Sequence, residues 1–346
     1  MAHWEKVTRS NFLIKLRSWE YWPFGIVQFP AIIYWLWLSI RARSLVFFSA
    51  SNPGILMGGM FGESKYDVLT KIPINYIPKT LLVQTPIKPS DVMRLIQAVD
   101  LKLPLIFKPD IGERGFMVRS ISSGKDIESY LQKIKGSFLI QELVQLPLEF
   151  GVFYMKLPGD KKGRVISVVA KEMLSVTGDG KSILQDLILG NDRAKLQWKK
   201  LRITHRKELN NVVPAGERIE LVSIGNHALG TRFINASHLI NDRLSDTFNN
   251  ISSQIHGFNF GRFDLRCESP EELYAGKIKI MELNGCGAEP AHIYDTSFSL
   301  WDAFTVLVIH WKNIFRIARA NKKRGVNYVS HREAFAIYRR FKSAVK

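Results

Sequence analysis

Two short segments near the C-terminal end, Gly261-Arg262-Phe263-Asp264-Leu265-Arg266 and Ile278-Lys279-Ile280-Met281-Glu282-Leu283-Asn284-Gly285, alternate with the period of a strand. In the first, Phe263, Leu265 and Cys267 fall on one face, with Arg262, Asp264 and Arg266 on the other. In the second, Glu282 and Asn284 share a face because they are two residues apart. Paired as a hairpin across the polar, Pro-containing loop between them, the strands gather Asp264, Glu282 and Asn284 into one cluster of oxygen ligands. Such a cluster suits a hard cation, Mg²⁺ or alternatively Mn²⁺. Mg²⁺ takes a few carboxylate or amide oxygens, keeps some waters and shares its remaining positions with phosphate. Two ordinary strands with solvent-facing polar residues would read the same way, so the rest of the chain must decide.

Lys and Arg number 49 against 31 Asp and Glu in 346 residues, a formal charge of +18. That excess points to an anionic partner: nucleotide, phospholipid surface or nucleic acid. The length suggests two or three domains. With Cys267 and Cys286 as the only cysteines, there is no disulfide framework and no zinc pattern, which fits a reducing, cytoplasmic setting.

Residues 1–64 form an apolar, basic N-terminal segment. Phe24 to Ile40 is almost wholly apolar and precedes Arg41 and Arg43. The run starts late and no small-residue cleavage site follows, unlike a signal peptide. A spanning helix needs roughly 20 apolar residues, and this run is interrupted by Gln28 and Pro30. An interfacial or re-entrant segment is expected, with Trp and Tyr at headgroup level and arginines on lipid phosphates. A buried core or oligomer helix and a true span are the alternatives. Gly58-Gly59-Met60-Phe61-Gly62-Glu63-Ser64-Lys65 reads as turns or as a phosphate-approaching loop.

Further on, Tyr66 to Leu69 reads as a short helix and Leu81-Leu82-Val83 as a strand. Asp91 to Val99 reads as a helix capped by Ser90. Pro104 to Pro109 is a buried strand ending in Lys108, a cation that is costly to bury unless it meets an anion. Asp110-Ile111-Gly112-Glu113-Arg114-Gly115 follows, and then a strand over Phe116-Met117-Val118. Strand, lysine, glycine-rich turn, strand can close backbone amides over a polyphosphate, although Gly-Lys-Ser/Thr before a helix is missing and a surface hairpin is the plain alternative. Beyond a helix over Asp126 to Lys135, Glu142 and Glu149 bracket an apolar connection between two strands. One acid at an adenine amino group, one on ribose hydroxyls and apolar residues on the ring faces would suit an adenosine.

Taken together, Lys65, Lys108-Pro109 with Gly112 and Gly115, Glu142 and Glu149, Lys171, and Arg262-x-Asp264 followed by Glu282-x-Asn284 occur in the order and rough spacing of the ATP-grasp enzymes. Over residues 65–295 the chain resembles that superfamily, above all D-alanyl-D-alanine ligase and cyanophycin synthetase. The second likeness rests on Val176-Thr177-Gly178-Asp179-Gly180-Lys181-Ser182 and Val213-Pro214-Ala215-Gly216-Glu217-Arg218. The resemblance implies an α+β, ATP-grasp fold in which two α/β lobes clamp ATP, here behind an atypical apolar helical N-terminal segment. It implies an N-terminal lobe over 65–145 and a C-terminal lobe with the metal site over 146–310, before a basic helical tail over 311–346.

By the same resemblance Lys65 (Lys71 is a nearby alternative) and Lys108 hold the α- and β-phosphates, and the loop Gly112, Arg114, Gly115 covers the triphosphate. Glu142, with the backbone of Leu143 and Val144, takes the adenine, and Glu149 takes the ribose. Lys171 reaches the phosphates, Arg262 faces the transferred phosphoryl group or an acyl phosphate, and Asp264, Glu282 and Asn284 hold magnesium. Arg218, Asn226, His227 and Arg232 lie where related ligases present groups to the reacting centre, Arg218 and Asn226 first among them. Glu289, His292 and Tyr294 are candidates to contact an amine or carboxylate. The expected activity is ATP-dependent ligation of a carboxylate to an amine through an acyl phosphate, releasing ADP and phosphate.

A kinase acting on a hydroxyl is the runner-up in the same fold. A basic membrane- or nucleic-acid-binding protein with a vestigial nucleotide site is the alternative of another class. None of the familiar nucleic-acid modules is present, so nucleic acid is not an expected partner; an oligomer is compatible with the sequence. The ligases carry a complete α/β domain before the grasp region, which supplies part of the substrate pocket, so substrate identity does not carry over. A membrane-seated first segment, peripheral on the inner face, would bring lipid-linked substrates within reach. Trp301 to Ile317 reads as the last core helix, followed by a basic tail that is either a solvated helix or attracted to anionic lipid.

Overall fold

The structure is a computed structural model that describes residues 10–113, 115–222, 225 and 230–344. The helices are α1 (Asn11–Arg17), α2 (Phe24–Ala42), α3 (Lys65–Leu69), α4 (Pro89–Ala98), α5 (Gly124–Leu131) and α6 (Leu184–Gly190), then α7 (Asp192–Leu196), α8 (Trp198–Thr204), α9 (Asp242–Ser252), α10 (Pro270–Tyr274), α11 (Leu300–Lys323) and α12 (His331–Ala344). The strands are β1 (Thr80–Val83), β2 (Leu105–Pro109), β3 (Arg119–Ile121), β4 (Phe138–Glu142), β5 (Leu148–Met155) and β6 (Arg164–Glu172), then β7 (Ser175–Thr177), β8 (Arg218–Glu220), β9 (Arg232–Asn235), β10 (Phe260–Cys267) and β11 (Ile278–Asn284).

The chain divides into two compact units, each discontinuous in sequence. One comprises Met1–Ile32, Ala170–Asn235 and Ala291–Leu307. Within its described part, α6, α7 and α8 pack on the antiparallel pair β7–β8 around Leu174, Leu184, Ile188, Leu201 and Val213. A half-buried ion pair, Arg193 to Glu20 at 2.7 Å, ties its N-terminal piece down.

The other unit comprises Ile33–Val169, Ala236–Pro290 and Val308–Lys346 and holds two antiparallel sheets. In the smaller, ordered β1-β4-β2-β3, Phe107, Phe138 and Ile140 point to one face, where Tyr130 of α5 and Val92 and Ile96 of α4 complete a core. Alternation then puts Ile106, Lys108, Leu139 and Gln141 on the opposite face. In the larger sheet, β11, β10, β5 and β6 lie side by side. Phe263 packs on Phe248 of α9 at 5.2 Å between centroids, so one face of this sheet is apolar core.

Several sequence boundaries move. Pro89 takes the first turn of α4, where its missing N–H costs nothing, so Ser90 lies inside the helix and not at its cap. Residues 116–118 are a turn with Met117 at positive φ, and the expected strand falls on β3 instead. Ser123 caps α5 through its side chain, starting that helix at Gly124. The N-terminal apolar run is one continuous helix through Gln28 and Pro30, not an interrupted segment.

Candidate functional site

The hairpin of β10 and β11 forms as the alternation predicts. Arg262 pairs with Asn284 and Asp264 with Glu282, so these four side chains share a face. The register then slips by one, because Leu265 pairs with Ile280 and leaves Met281 bulged. The slip brings Lys279, opposite Arg266, onto the polar face and returns Ile280 and Ile278 to the core beside Leu265 and Cys267. On the same face of β5, Glu149 pairs with Arg266 and Gly151 with Asp264.

Both oxygens of Asp264 accept from Arg262: Nε to Oδ1 and Nη2 to Oδ2, each at 2.9 Å. Asn284 Nδ2 adds a third bond, to Oδ2 at 3.0 Å, and Arg262 Nη1 donates to the carbonyl of Glu289 at 2.8 Å. The pair is nearly dry, with side-chain exposures of 17% for Arg262 and 7% for Asp264. Burial works against charge on Arg262, and Asp264 outweighs it, so the guanidinium's pKa rises. A Cβ at residue 151 would sit 2.8 Å from Val169 Cγ1, 3.0 Å from Arg262 Cδ and 3.1 Å from Asp264 Oδ1, so glycine suits the position. Gly151→Ala is expected to destabilise the fold by about 1–3 kcal/mol through overpacking; chemical denaturation of the two proteins measures it.

The donor set fits Mg²⁺ by chemistry, because two carboxylates and an amide oxygen are hard ligands that leave room for waters and phosphate oxygens. The set has to share Asp264 with Arg262. Among the described residues no group of three His, Cys, Asp or Glu side chains could hold a metal, so a three-member set here would have to include Asn284.

The second wall is the other face of the small sheet, where Lys108, Leu139 and Gln141 are buried. Lys108 Nζ donates to Gln141 Oε1 at 3.0 Å and crosses to the carbonyl of the bulged Met281 at 3.1 Å. Burial lowers its pKa to about 8, with Lys65 pushing the same way and Glu282 and Asp264 opposing. Lys65, on α3, reaches the carbonyl of Gly112 and lies 3.9 Å from Glu282 Oε1; Lys71 is exposed. Asp110, buried at the end of β2, accepts from Ser64 Oγ at 2.9 Å and from the Tyr66 N–H at 3.0 Å. It thereby fixes the start of α3.

Sequence reasoning passed over Glu63. Its Oε2 is buried without a hydrogen-bond partner among the described residues. Burial raises the pKa of this carboxyl, with Lys65, Glu282 and Glu113 the charged groups that act on it. The loop that carries it is pinned backbone to backbone: Gly58 O accepts from Cys286 N–H at 3.0 Å and Gly59 O from Gly287 N–H at 2.9 Å. Gly58 and Gly59, both at positive φ, permit that approach. The signal was the glycine-rich stretch before Lys65, legible as a close approach but not as an approach to Gly285–Gly287. Cys286 in that contact is packed, and burial lifts its thiol to about 12, so it is no nucleophile.

In the connection from β4 to β5, Glu142 is exposed and accepts from the Lys79 N–H at 3.2 Å. Glu149 is buried, bound by Arg266 Nε at 3.0 Å, and Arg266 also donates to the carbonyl of Val144 at 3.0 Å; Leu143 is half-buried. An acid expected on ribose is thus held by an arginine of the same face. A cavity of about 330 Å³, lined by Asn75, Tyr76, Leu146, Ile278 and Lys279 among others, opens at this end of the hairpin. It is at the lower end of small-molecule pocket sizes.

Gly112 and Gly115 lie in the loop after β2, both at positive φ. Arg114, Asn226 and His227 fall outside the described residues. Lys171, Arg218, His292 and Tyr294 belong to the other unit. There Arg218 donates to Ser175 Oγ at 2.9 Å and to Glu172 at 3.4 Å. His292 is buried beside Phe298, which lowers its pKa to about 4, and Tyr294 stacks on Trp19 at 5.6 Å. A neutral, packed imidazole and a stacked phenol are what those two expected substrate contacts show.

No protein-family model matches the chain, and no curated protein does. Solved structures do. Among them is a bifunctional glutathione synthetase from Pasteurella multocida, at 10% identity and a TM-score of 0.37, with 70% of this chain and 35% of that one covered. Another is the D-alanine–D-alanine ligase from Bacillus anthracis, at 12% and 0.44, covering 78% and 72%. A third is the ATP-grasp ligase PsnB complexed with minimal precursor, at 14% and 0.36, covering 71% and 60%. The chain therefore spans about a third of the first and three fifths of the third. Likenesses this distant carry no argument about activity, and the functional reading rests on the side chains. In the order of its motifs the chain resembles the ATP-grasp proteins.

Proposed function

We propose that this chain is an ATP-dependent ligase that joins a carboxylate to an amine. ATP phosphorylates the carboxylate, the amine attacks the acyl phosphate, and amide, ADP and phosphate leave. The observation that carries the reading is the meeting of Lys65 and Lys108 on one wall with Arg262, Asp264, Glu282 and Asn284 on the other, bridged by the Lys108 bond to Met281. Phosphoryl transfer needs positioning and cationic side chains rather than a protein nucleophile. Mg²⁺, when bound, would supply charge neutralisation at the phosphates; Asp264, Glu282 and Asn284 would hold it.

In this reading Lys65 and Lys108 bind phosphate oxygens, and Arg262 stabilises charge on the transferred group. The base sits toward the cavity by Leu146 and Lys279, with Glu142 and the backbone of Leu143 and Val144 at its edge. Glu63 Oε2, an acceptor without a donor among the described residues, receives an N–H of the incoming amine. We place the reaction in the cytoplasm, in keeping with two free, buried thiols.

Screening pools of carboxylates and amines for nucleotide products tests this. ADP and phosphate are expected only when both substrates are present. AMP release would exclude the acyl-phosphate route, and a stable phosphorylated product formed without amine would make the protein a kinase.

A further inference from the structure

The helix α2 carries two apolar faces. Val27, Ala31, Leu38 and Ala42 are buried, and Leu38 and Ala42 pack in a core with Phe47, Phe48, Ile314 and Phe315. On the opposite side Ile26, Phe29, Ile33, Leu36, Trp37 and Ile40 are 44–76% exposed. Their spacing makes one continuous stripe along the helix. Gly25–Ala42 is long and apolar enough to cross a membrane. A third of that stretch is buried against protein, and the rest of the helix surface is open.

At the C-terminal end of the stripe stands a group of cations. Arg41 lies over the Trp37 ring at 4.8 Å and over Phe315 at 5.6 Å, and Arg319 lies over the same Phe315 ring at 5.5 Å. Arg43, Lys312 and Arg316 nearby in sequence are exposed. No carboxylate pairs with Arg41 or Arg319 among the described residues. Two like charges on one ring without a counter-ion suit an anionic surface. A second copy of the chain, docking stripe to stripe, would bring further arginines toward them.

We infer that α2 lies in the plane of an anionic bilayer, with Ile26 to Ile40 sunk to the acyl boundary and Arg41 and Arg319 on lipid phosphates. This inference is independent of the ligase reading. The unbroken helix gives the interfacial reading of the sequence its geometry: one face against protein, one against lipid.

Sedimentation of the full chain with vesicles of phosphatidylcholine alone, or of phosphatidylcholine with phosphatidylserine, tests it. The wild type is expected to pellet with the anionic vesicles and to release as salt rises. Arg41→Gln with Arg319→Gln should weaken anionic binding about thirtyfold and leave neutral binding unchanged. Ile33→Ser with Ile40→Ser should weaken both at least about tenfold. Thermal melts establish that each variant is folded, and Ile40→Ser alone serves if the pair is not. Equal pelleting of the wild type on both vesicles, or none on either, would overturn the inference. So would a lipid-free dimer that Ile33→Ser with Ile40→Ser converts to monomer, because a second copy would then cover the face.

Discussion

Asp264→Asn is expected to lower carboxylate- and amine-dependent ADP release by about 10³, the scale on which removal of one preorganised electrostatic group acts. Asp264 is the group that both the cation set and Arg262 converge on, and asparagine keeps its shape while removing its charge. Arg262, 17% exposed, would then lose the carboxylate that holds both its Nε and its Nη2, with only the more distant Glu282 and Glu289 charges left, at a cost of about 3–5 kcal/mol in unfolding free energy. Replacing both, Arg262→Met with Asp264→Asn, should recover much of that stability and none of the activity, since the unpaired charge is gone but so is the site. Urea melts beside an ADP assay separate the two effects. An Asp264→Asn protein that keeps most of its ADP release would remove the basis of the ligase reading.

Lys108→Met should split stability from function in the opposite sense. The ordinary lysine value of 10.5 is pulled to about 8 by burial, a gap equivalent to at most roughly 3 kcal/mol against the charged form. Methionine fills similar space without that cost, so the variant is expected to be more stable at pH 7 by about 1–3 kcal/mol. The lost bonds to Gln141 and Met281 offset part of the gain. ATP binding should fall sharply, because an uncharged thioether offers nothing to a phosphate.

The pH dependence follows from the direction of the shift. The folded value lies below the unfolded one, so the penalty is complete below about pH 8 and is relieved between about 8 and 10.5. Wild-type stability should gain over that window relative to Lys108→Met. Nucleotide affinity of the wild type should decline over the same range as Lys108 loses its proton. A wild type that is more stable than Lys108→Met at pH 7 would mean that this lysine is held for structure.

The polar face of the hairpin was readable because side-chain alternation is local: Arg262, Asp264 and Arg266 must point one way wherever the strand goes. Lys108 was readable for a related reason, as a cation ending an apolar strand. The bulge at Met281 was not readable, since a one-residue slip depends on which partner residues the core accepts, and it is the bulge that offers Lys108 a carbonyl. Glu149 shows the same gap. Its acidity is evident in the sequence, but its pairing with Arg266 depends on β5 lying beside β10, an adjacency of residues more than a hundred positions apart.

Local chemistry, then, is enough to name the hard-oxygen set, the lysines and the apolar helix, because residue type and short-range period are written along the chain. Which groups satisfy one another is a matter of packing. Arg262 takes both oxygens of Asp264 where glycine at 151 leaves room, and Glu63 Oε2 is left without a donor among the described residues, in a loop whose Gly58 and Gly59 bond to Cys286 and Gly287. Both faces of α2 carry apolar residues in the sequence, and only the core built from distant segments settles which is covered and which stays open.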